Sequence, residues 1–413
     1  MELPELSGKV VAFSLTALPV CYALNHLSEL SHPLGMAILS AMILALLFVA
    51  ISNLAQGEIS HDPLFAVFTV FSFTSLIDLF IALEEDDYVM GLMEFYTRER
   101  EPYLRTAHGI FSCYWDGTVN YLLYLIMTGA IAKSLLFHNP PFWVGNLQPL
   151  HPCTHLKDQE SCQFLSISLR KRYRSLGLYW LGSLVMSIMV FVPGNILGKY
   201  SSELRLSFLL NIPYVLIPCW AGLHLFRQAK GPAGYTVDMI LEEHKKGLLQ
   251  RPWDLALFIF LLLAGLFTIF RGLVVLDCPT DSCFIYVYQY EPYLRDPVAY
   301  PKIQMLVFLF YALPFFILAA YGLLWPGCAW LPDWALVFAG AMGQAQFSHI
   351  GASMHPHTPY PYRTPEDVWS FLFILNLLYA VGPHLLAYRC IRWPAFFLCP
   401  PTLSQQEKNK KNH

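Results

Sequence analysis

The chain reads as an all-α polytopic membrane protein with about ten transmembrane helices, two leading helices followed by two tandem four-helix bundles. Three observations predict this. Of 413 residues, 56% are hydrophobic and 15% aromatic, while only 13% are charged; a typical soluble domain has about 25% charged residues. Apolar stretches long enough to cross roughly 30 Å of hydrocarbon as helices recur along the whole length. The pentapeptide Glu-Pro-Tyr-Leu-Arg occurs twice, at Glu101–Arg105 and Glu291–Arg295, each time after an apolar run that ends in acidic residues. A polar connector repeated in one context marks two copies of one unit.

Residues 1–60 hold the leading pair, Val10–Ser28 and Pro33–Ser52. The acidic start at Glu2 and Glu5, and a second span after a short turn, argue against a cleaved signal peptide. The first bundle covers 61–226, with spans at Pro63–Leu83, Gly109–Ala132, Leu176–Leu197 and Leu206–Phe226. A linker occupies 227–252. The second bundle covers 253–390, with spans at Leu255–Leu276, Ile303–Leu324, Trp334–Ile350 and Val368–Tyr388. Of these, Trp334–Ile350 is weakened by Gln344, Gln346 and His349. With the copies aligned on Glu101 and Glu291, Leu83-Glu84 answers Leu276-Asp277, and Asn211-x-x-Tyr214-x-x-x-Pro218 answers Asn376-x-x-Tyr379-x-x-x-Pro383. An even number of spans separates the copies, so they share one orientation. The second copy has diverged: Arg271-Gly272 stands near the place of Asp78, and Met305 at that of Trp115. Residues 137–169, rich in proline and without helical periodicity, read as an inserted cytosolic loop, and 391–413 as a cytosolic tail, polar after Pro401.

The formal net charge of −3 is unevenly distributed. One set of loops holds Arg170–Arg174, Arg227, Lys230, Lys245, Lys246, Arg251 and the tail lysines; the other holds Glu84–Asp87, Glu94, Asp277, Asp281 and both connectors. The positive-inside rule places the first set, with both termini, in the cytosol and the connectors in the lumen. There Cys278 and Cys283, with four residues between them, are placed to close a small disulfide ring. No nucleophile triad, phosphate loop, dinucleotide fingerprint or metal-binding helix is present, so no cofactor or metal is indicated. The basic loops read as topology determinants or anionic-lipid contacts rather than nucleic-acid patches.

Charged side chains inside spans need a reason. Asp78 and Asp116 lie at comparable luminal depth on consecutive antiparallel spans, so they are expected to line one cavity with Trp115, Thr118 and Asn120 nearby. Asn211 and Asn376 are expected to hydrogen-bond between helices, and Pro213 and Pro218 to bend the helix that carries Tyr214. Glu-Pro-Tyr-Leu-Arg reads as a loop-to-helix motif that orients the following span, its Glu and Arg pairing across a turn.

The four-helix unit, with an acidic loop, an acid on the second helix and Asn-x-x-aromatic-x-x-x-Pro on the fourth, resembles the EXPERA domain of the emopamil-binding sterol isomerase and the sigma-2 receptor. Two such units behind two leading helices resemble the transmembrane 6 superfamily. Tyr200-Ser-Ser-Glu203, Cys113–Thr118 and Gly343–His349 carry the likeness further, to one member of it. The resemblance covers nearly the whole chain outside 137–169. It implies a lipid- or sterol-binding protein of the endoplasmic reticulum that supports lipoprotein lipidation and lipid droplet content in liver and intestine. Lipid-synthesis or lipoprotein-assembly proteins are the implied partners. Isomerisation would need a His and a Glu one turn apart on the first helix; here Asp78 and Ala82 stand in those places, Asp116 at the second-helix Glu and Tyr214 at a Trp. The alternatives are an isomerase using Asp78 and Asp116, and a lipid transporter or scramblase. Lys410 and Lys411 fit a dilysine retrieval signal read by coat proteins, which implies the endoplasmic reticulum and the compartment between it and the Golgi.

Overall fold

A computed structural model describes residues 3–30, 33–54, 62–138, 156–203, 208–209, 211–228 and 235–400, and every regular element among them is helical. Helices α1 (Leu3–Leu15) and α2 (Ala17–Leu30) form one rod interrupted at Thr16, followed by α3 (Pro33–Leu54). Helix α4 (Pro63–Glu85) is capped by Asp62, which accepts from the Leu64 N–H at 3.0 Å, with Pro63 preset at the first position. After α5 (Glu94–Arg100) and a 3₁₀ turn at Pro102–Arg105, Thr106 caps α6 (Ala107–Trp115). A π-turn at Asp116–Asn120 joins α6 to α7 (Tyr121–His138), and α8 (Leu156–Leu197) and α9 (Asn211–Arg227) complete the first half.

The second half comprises α10 (Val237–Lys245), α11 (Pro252–Val275), α12 (Asp281–Ile285), a 3₁₀ turn at Pro292–Arg295, α13 (Tyr300–Val307), α14 (Leu313–Leu324), α15 (Leu331–Met354) and α16 (Trp369–Arg392). The repeat is one of conformation as well as of sequence. Glu101 and Glu291 precede identical 3₁₀ turns with φ/ψ of −136/59° and −131/63°. Asp87 and Asp277, at the exits of α4 and α11, both take the left-handed region that Asp tolerates. The span after each connector contains a π-turn.

Each expected apolar stretch falls on a helix, although α9 begins only at Asn211. Among the described residues six helices are long and apolar enough to cross a membrane: Gly8–Leu27, Pro63–Glu85, Arg172–Leu197, Pro252–Val275, Tyr300–Leu324 and Trp369–Arg392. Of the four expected spans outside this set, α9 has only 17 residues and α15 carries Gln344, Gln346, Ser348 and His349, all buried. One expectation is corrected. Residues 156–169, read as irregular loop, belong to α8, because no proline interrupts the chain between Pro152 and Pro193. Residues 139–155 and 401–413, including Lys410 and Lys411, lie outside the described residues.

The halves pack through α8 and α15. At this crossing a Cβ on Gly182 would collide with the Val337 carbonyl, and one on Gly340 with the Tyr179 carbonyl, so both backbones approach as only glycine permits. Arg174 reinforces the contact with a two-pronged pair to Asp333 at 2.8 and 3.0 Å. His108 stacks on Tyr300 at 4.5 Å, and His355 lies 2.9 Å from Asp86.

Candidate functional site

The first half encloses a cavity of about 210 Å³. Helices α2, α3, α4, α6, α8 and α9 supply apolar walls such as Leu24, Ile43, Phe73, Ile77, Leu184 and Phe191. Three carboxyl side chains line it, from Asp78 on α4, Asp116 at the start of the π-turn and Glu101 of the connector, and no Lys, Arg or His is among its lining residues. Asn211 and Tyr214 also line it. Consecutive antiparallel spans do therefore bring Asp78 and Asp116 to one chamber, with the α9 residues opposite.

Other predicted residues lie elsewhere. Asn120 is buried behind the cavity, where it donates to Asp116 and accepts from Ser183 at 3.0 Å; it positions the carboxylate without lining the chamber. Trp115 turns to the other half and meets Phe347 at 5.4 Å. Thr118 is exposed and donates to the Tyr114 carbonyl at 2.6 Å. The π-turn inserts one extra residue into the helical period, which rotates successive side chains away from a single face. Asn211 was expected to bond across helices, but its amide donates to Phe208 O at 3.0 Å, within its own turn.

The connector reading is corrected more deeply. Arg105 pairs with Glu85 at 3.0 Å, not with Glu101. Glu101 is therefore left to face the chamber, where burial raises its carboxyl to about 7, with the Tyr96 and Tyr103 hydroxyls opposing that shift. The acidic run before it is structural. Glu84 accepts from the Leu92 and Met93 N–H groups at 2.7 and 2.5 Å, Glu85 from Thr97, and Asp86 from the Tyr114 hydroxyl. The sequence signal for Glu101 was there: it is the acid of the repeated pentapeptide, kept in both copies at the same backbone geometry.

In the second half the equivalent position is closed. Arg271, near the place of Asp78, is buried and donates through Nε to Glu291 at 3.1 Å, with Nη2 on the other oxygen. Asn376 accepts from Arg271 at 3.1 Å, His349 Nε2 lies 2.7 Å from Glu291, and Tyr286 donates to Glu291 at 2.7 Å. Burial alone would raise the Glu291 carboxyl; Arg271, His349 and Tyr286 hold it down at about 2. Tyr379 donates to Ala264 O at 2.7 Å and meets Thr268 at 3.0 Å. Asn376 and Tyr379 thus serve packing, and the ion pair fills the space that is open in the first copy. Cys278 and Cys283 form a disulfide beside this copy.

Fold and site together define an all-helical polytopic membrane protein with a tandem repeat, one copy open around an acid-lined chamber and the other shut. The chain belongs to the transmembrane 6 superfamily. A family model described as "Transmembrane 6 superfamily member 2-like, transmembrane domain" matches residues 16–149 and 163–236. The model for EXPERA (EXPanded EBP superfamily) matches residues 284–390. Human transmembrane 6 superfamily member 2 is 62% identical over 413 residues, with all of both chains covered. The mouse and rat proteins of the same name are 61% and 60% identical over 412 residues, again with full coverage. No solved structure matches the chain.

Proposed function

We propose that this protein binds an apolar lipid, a sterol or a molecule of similar shape, in the chamber of the first half, without catalysis. The observation that carries this reading is the combination of apolar walls with Asp78, Asp116 and Glu101, with no basic residue among the described residues that line the chamber. Carboxyls placed in a cavity at membrane depth serve a polar group that arrives with a ligand. The cavity is smaller than the roughly 300–1,000 Å³ of a site that engulfs a drug-sized molecule. A sterol would enter with its polar end and leave its tail between α2, α3 and α9. Family membership is consistent with a role in lipid metabolism, and we place the protein in the endoplasmic reticulum and the adjoining intermediate compartment, supporting triglyceride-rich lipoprotein lipidation and lipid droplet content. Both termini would be cytosolic, with coat proteins reading Lys410 and Lys411. Replacing both lysines should move the protein to later compartments; an unchanged location discards the retrieval signal.

A photoreactive sterol tests the binding reading. Labelled peptides should contain Asp78, Glu101 or Asp116, and Asp116→Asn should lower labelling about tenfold. Labelling confined to other segments sinks the proposal. One observation favours isomerisation as a second reading: a Glu101 carboxyl near 7 can carry a proton at neutral pH. Turnover of a Δ8 sterol by purified protein, lost in Glu101→Gln, would replace binding with catalysis.

A further inference from the structure

A second pocket, of about 380 Å³, lies at the end of the second half remote from the connectors. Residues of α10, the start of α11 and the end of α16 line it. Two guanidinium groups share a single carboxylate there. Arg389 donates through Nε and Nη2 to Asp254 Oδ1 and Oδ2 at 2.6 and 2.9 Å, and Arg251 Nη1 donates to the same side chain. Asp254 is 0% exposed, Arg251 7% and Arg389 8%. This buried group of three carries one positive charge in excess; the Phe396 ring, 3.7 Å from the Arg251 guanidinium, and Glu243 on α10 offset part of it.

Donors are also left over. Each guanidinium offers five N–H groups. Beyond Asp254, Arg251 uses one on Leu323 O at 3.0 Å and Arg389 one on Trp393 O at 2.5 Å. The Arg251 Nε has no partner among the described residues. Around this cationic floor stand Tyr235, Trp253 and Trp393, with Glu242 and Glu243 on α10. Trp253 is largely and Trp393 half exposed at the ends of spanning helices, the position tryptophan takes at headgroup depth. Paired guanidinium groups hold a phosphate; aromatic faces beside a carboxylate hold an ammonium.

We propose that this pocket binds the headgroup of a zwitterionic phospholipid, with its phosphate on Arg251 and Arg389 and its ammonium against Trp253, Trp393 and the α10 carboxylates. The site is separate from the acid-lined chamber and does not depend on what that chamber holds. A phospholipid bound here would keep its tails along the lipid-facing sides of α11 and α16, which explains why polar donors and exposed tryptophans meet at one helix end.

Native mass spectrometry of the full-length protein in detergent tests this. Phosphatidylcholine should be retained by the wild type and by Trp325→Ala, which removes an exposed tryptophan outside the pocket. Retention should fall about tenfold in Arg251→Gln and in Trp393→Ala. If Arg251→Gln fails to fold, Trp393→Ala, whose side chain is half exposed, carries the test alone. Diacylglycerol, with the same tails and no headgroup, should not be retained. Wild-type retention in Trp393→Ala, or diacylglycerol retained as strongly as phosphatidylcholine, overturns the proposal. Phosphatidylglycerol held equally well overturns the ammonium assignment. Displacement of the lipid by millimolar inorganic phosphate overturns the lipid assignment and leaves an anion site.

Discussion

Glu101 and Glu291 share a motif and a backbone conformation, yet their carboxyls are pushed in opposite directions. Burial leaves Glu101 at about 7, while Arg271, His349 and Tyr286 offset the burial of Glu291 and bring it to about 2. The consequences for stability have opposite signs. Between about pH 4.5 and 7 the folded chain holds a proton on Glu101 that the unfolded chain has lost, so stability falls as pH rises through that window. Stability from Glu291 is present above about pH 4.5 and is lost as pH falls toward 2. Glu101→Gln should therefore flatten the dependence of the thermal transition between pH 4.5 and 7 and leave the acid limb unchanged. A slope identical to wild type across that window would show that Glu101 does not hold its proton.

At the scale of elements, the connector and the glycine crossing do different work. The 3₁₀ turn at Pro102–Arg105 reverses the chain so that Glu101 points inward, and Arg105 ties the turn to α4 through Glu85. The α8–α15 crossing holds the halves together by close backbone approach at Gly182 and Gly340. Gly340→Leu would place a side chain against a carbonyl that cannot move independently of its helix. Overpacking in a tight core costs about 1–3 kcal/mol, and the fixed backbone puts this site at the upper end. The expected readout is a lower thermal transition in detergent with the chamber ligand still bound below it. An unchanged transition would mean that the halves are not held by this crossing.

At the scale of the molecule, one copy is open and the other is closed, and the two differ in the charged side chain that stands in this part of the helix before the connector. Asp78 leaves a carboxyl in an uncompensated chamber; Arg271 reaches Glu291 and Asn376 and fills the space. Arg271→Met would strand Glu291 in the interior, a change that costs about 3–5 kcal/mol. Asp78→Asn removes a carboxyl with no cation among the described residues lining its chamber and should leave the transition unchanged or raised, while lowering sterol labelling. If both variants destabilise equally, the two copies are equivalent scaffolds and the open chamber is not a binding site.

Composition and periodicity alone determined the helical membrane class and marked the duplicated connector, because hydrophobic length and a repeated pentapeptide are local properties of the chain. They also singled out Asp78, Asp116, Asn211 and Tyr214, since polar groups within apolar runs stand out in one dimension. Tertiary structure decided the rest. The π-turn at Asp116–Asn120 set which neighbours face inward, so Asn120 braces Asp116 while Trp115 and Thr118 turn away. Arg105 chose Glu85 over Glu101, and that choice left Glu101, expected to pair across the turn, as a third cavity acid. Whether the acid of a repeated motif is free or neutralised depends on a side chain some 20 residues distant in sequence and adjacent in space, as Arg271 is to Glu291, and only packing makes that pair.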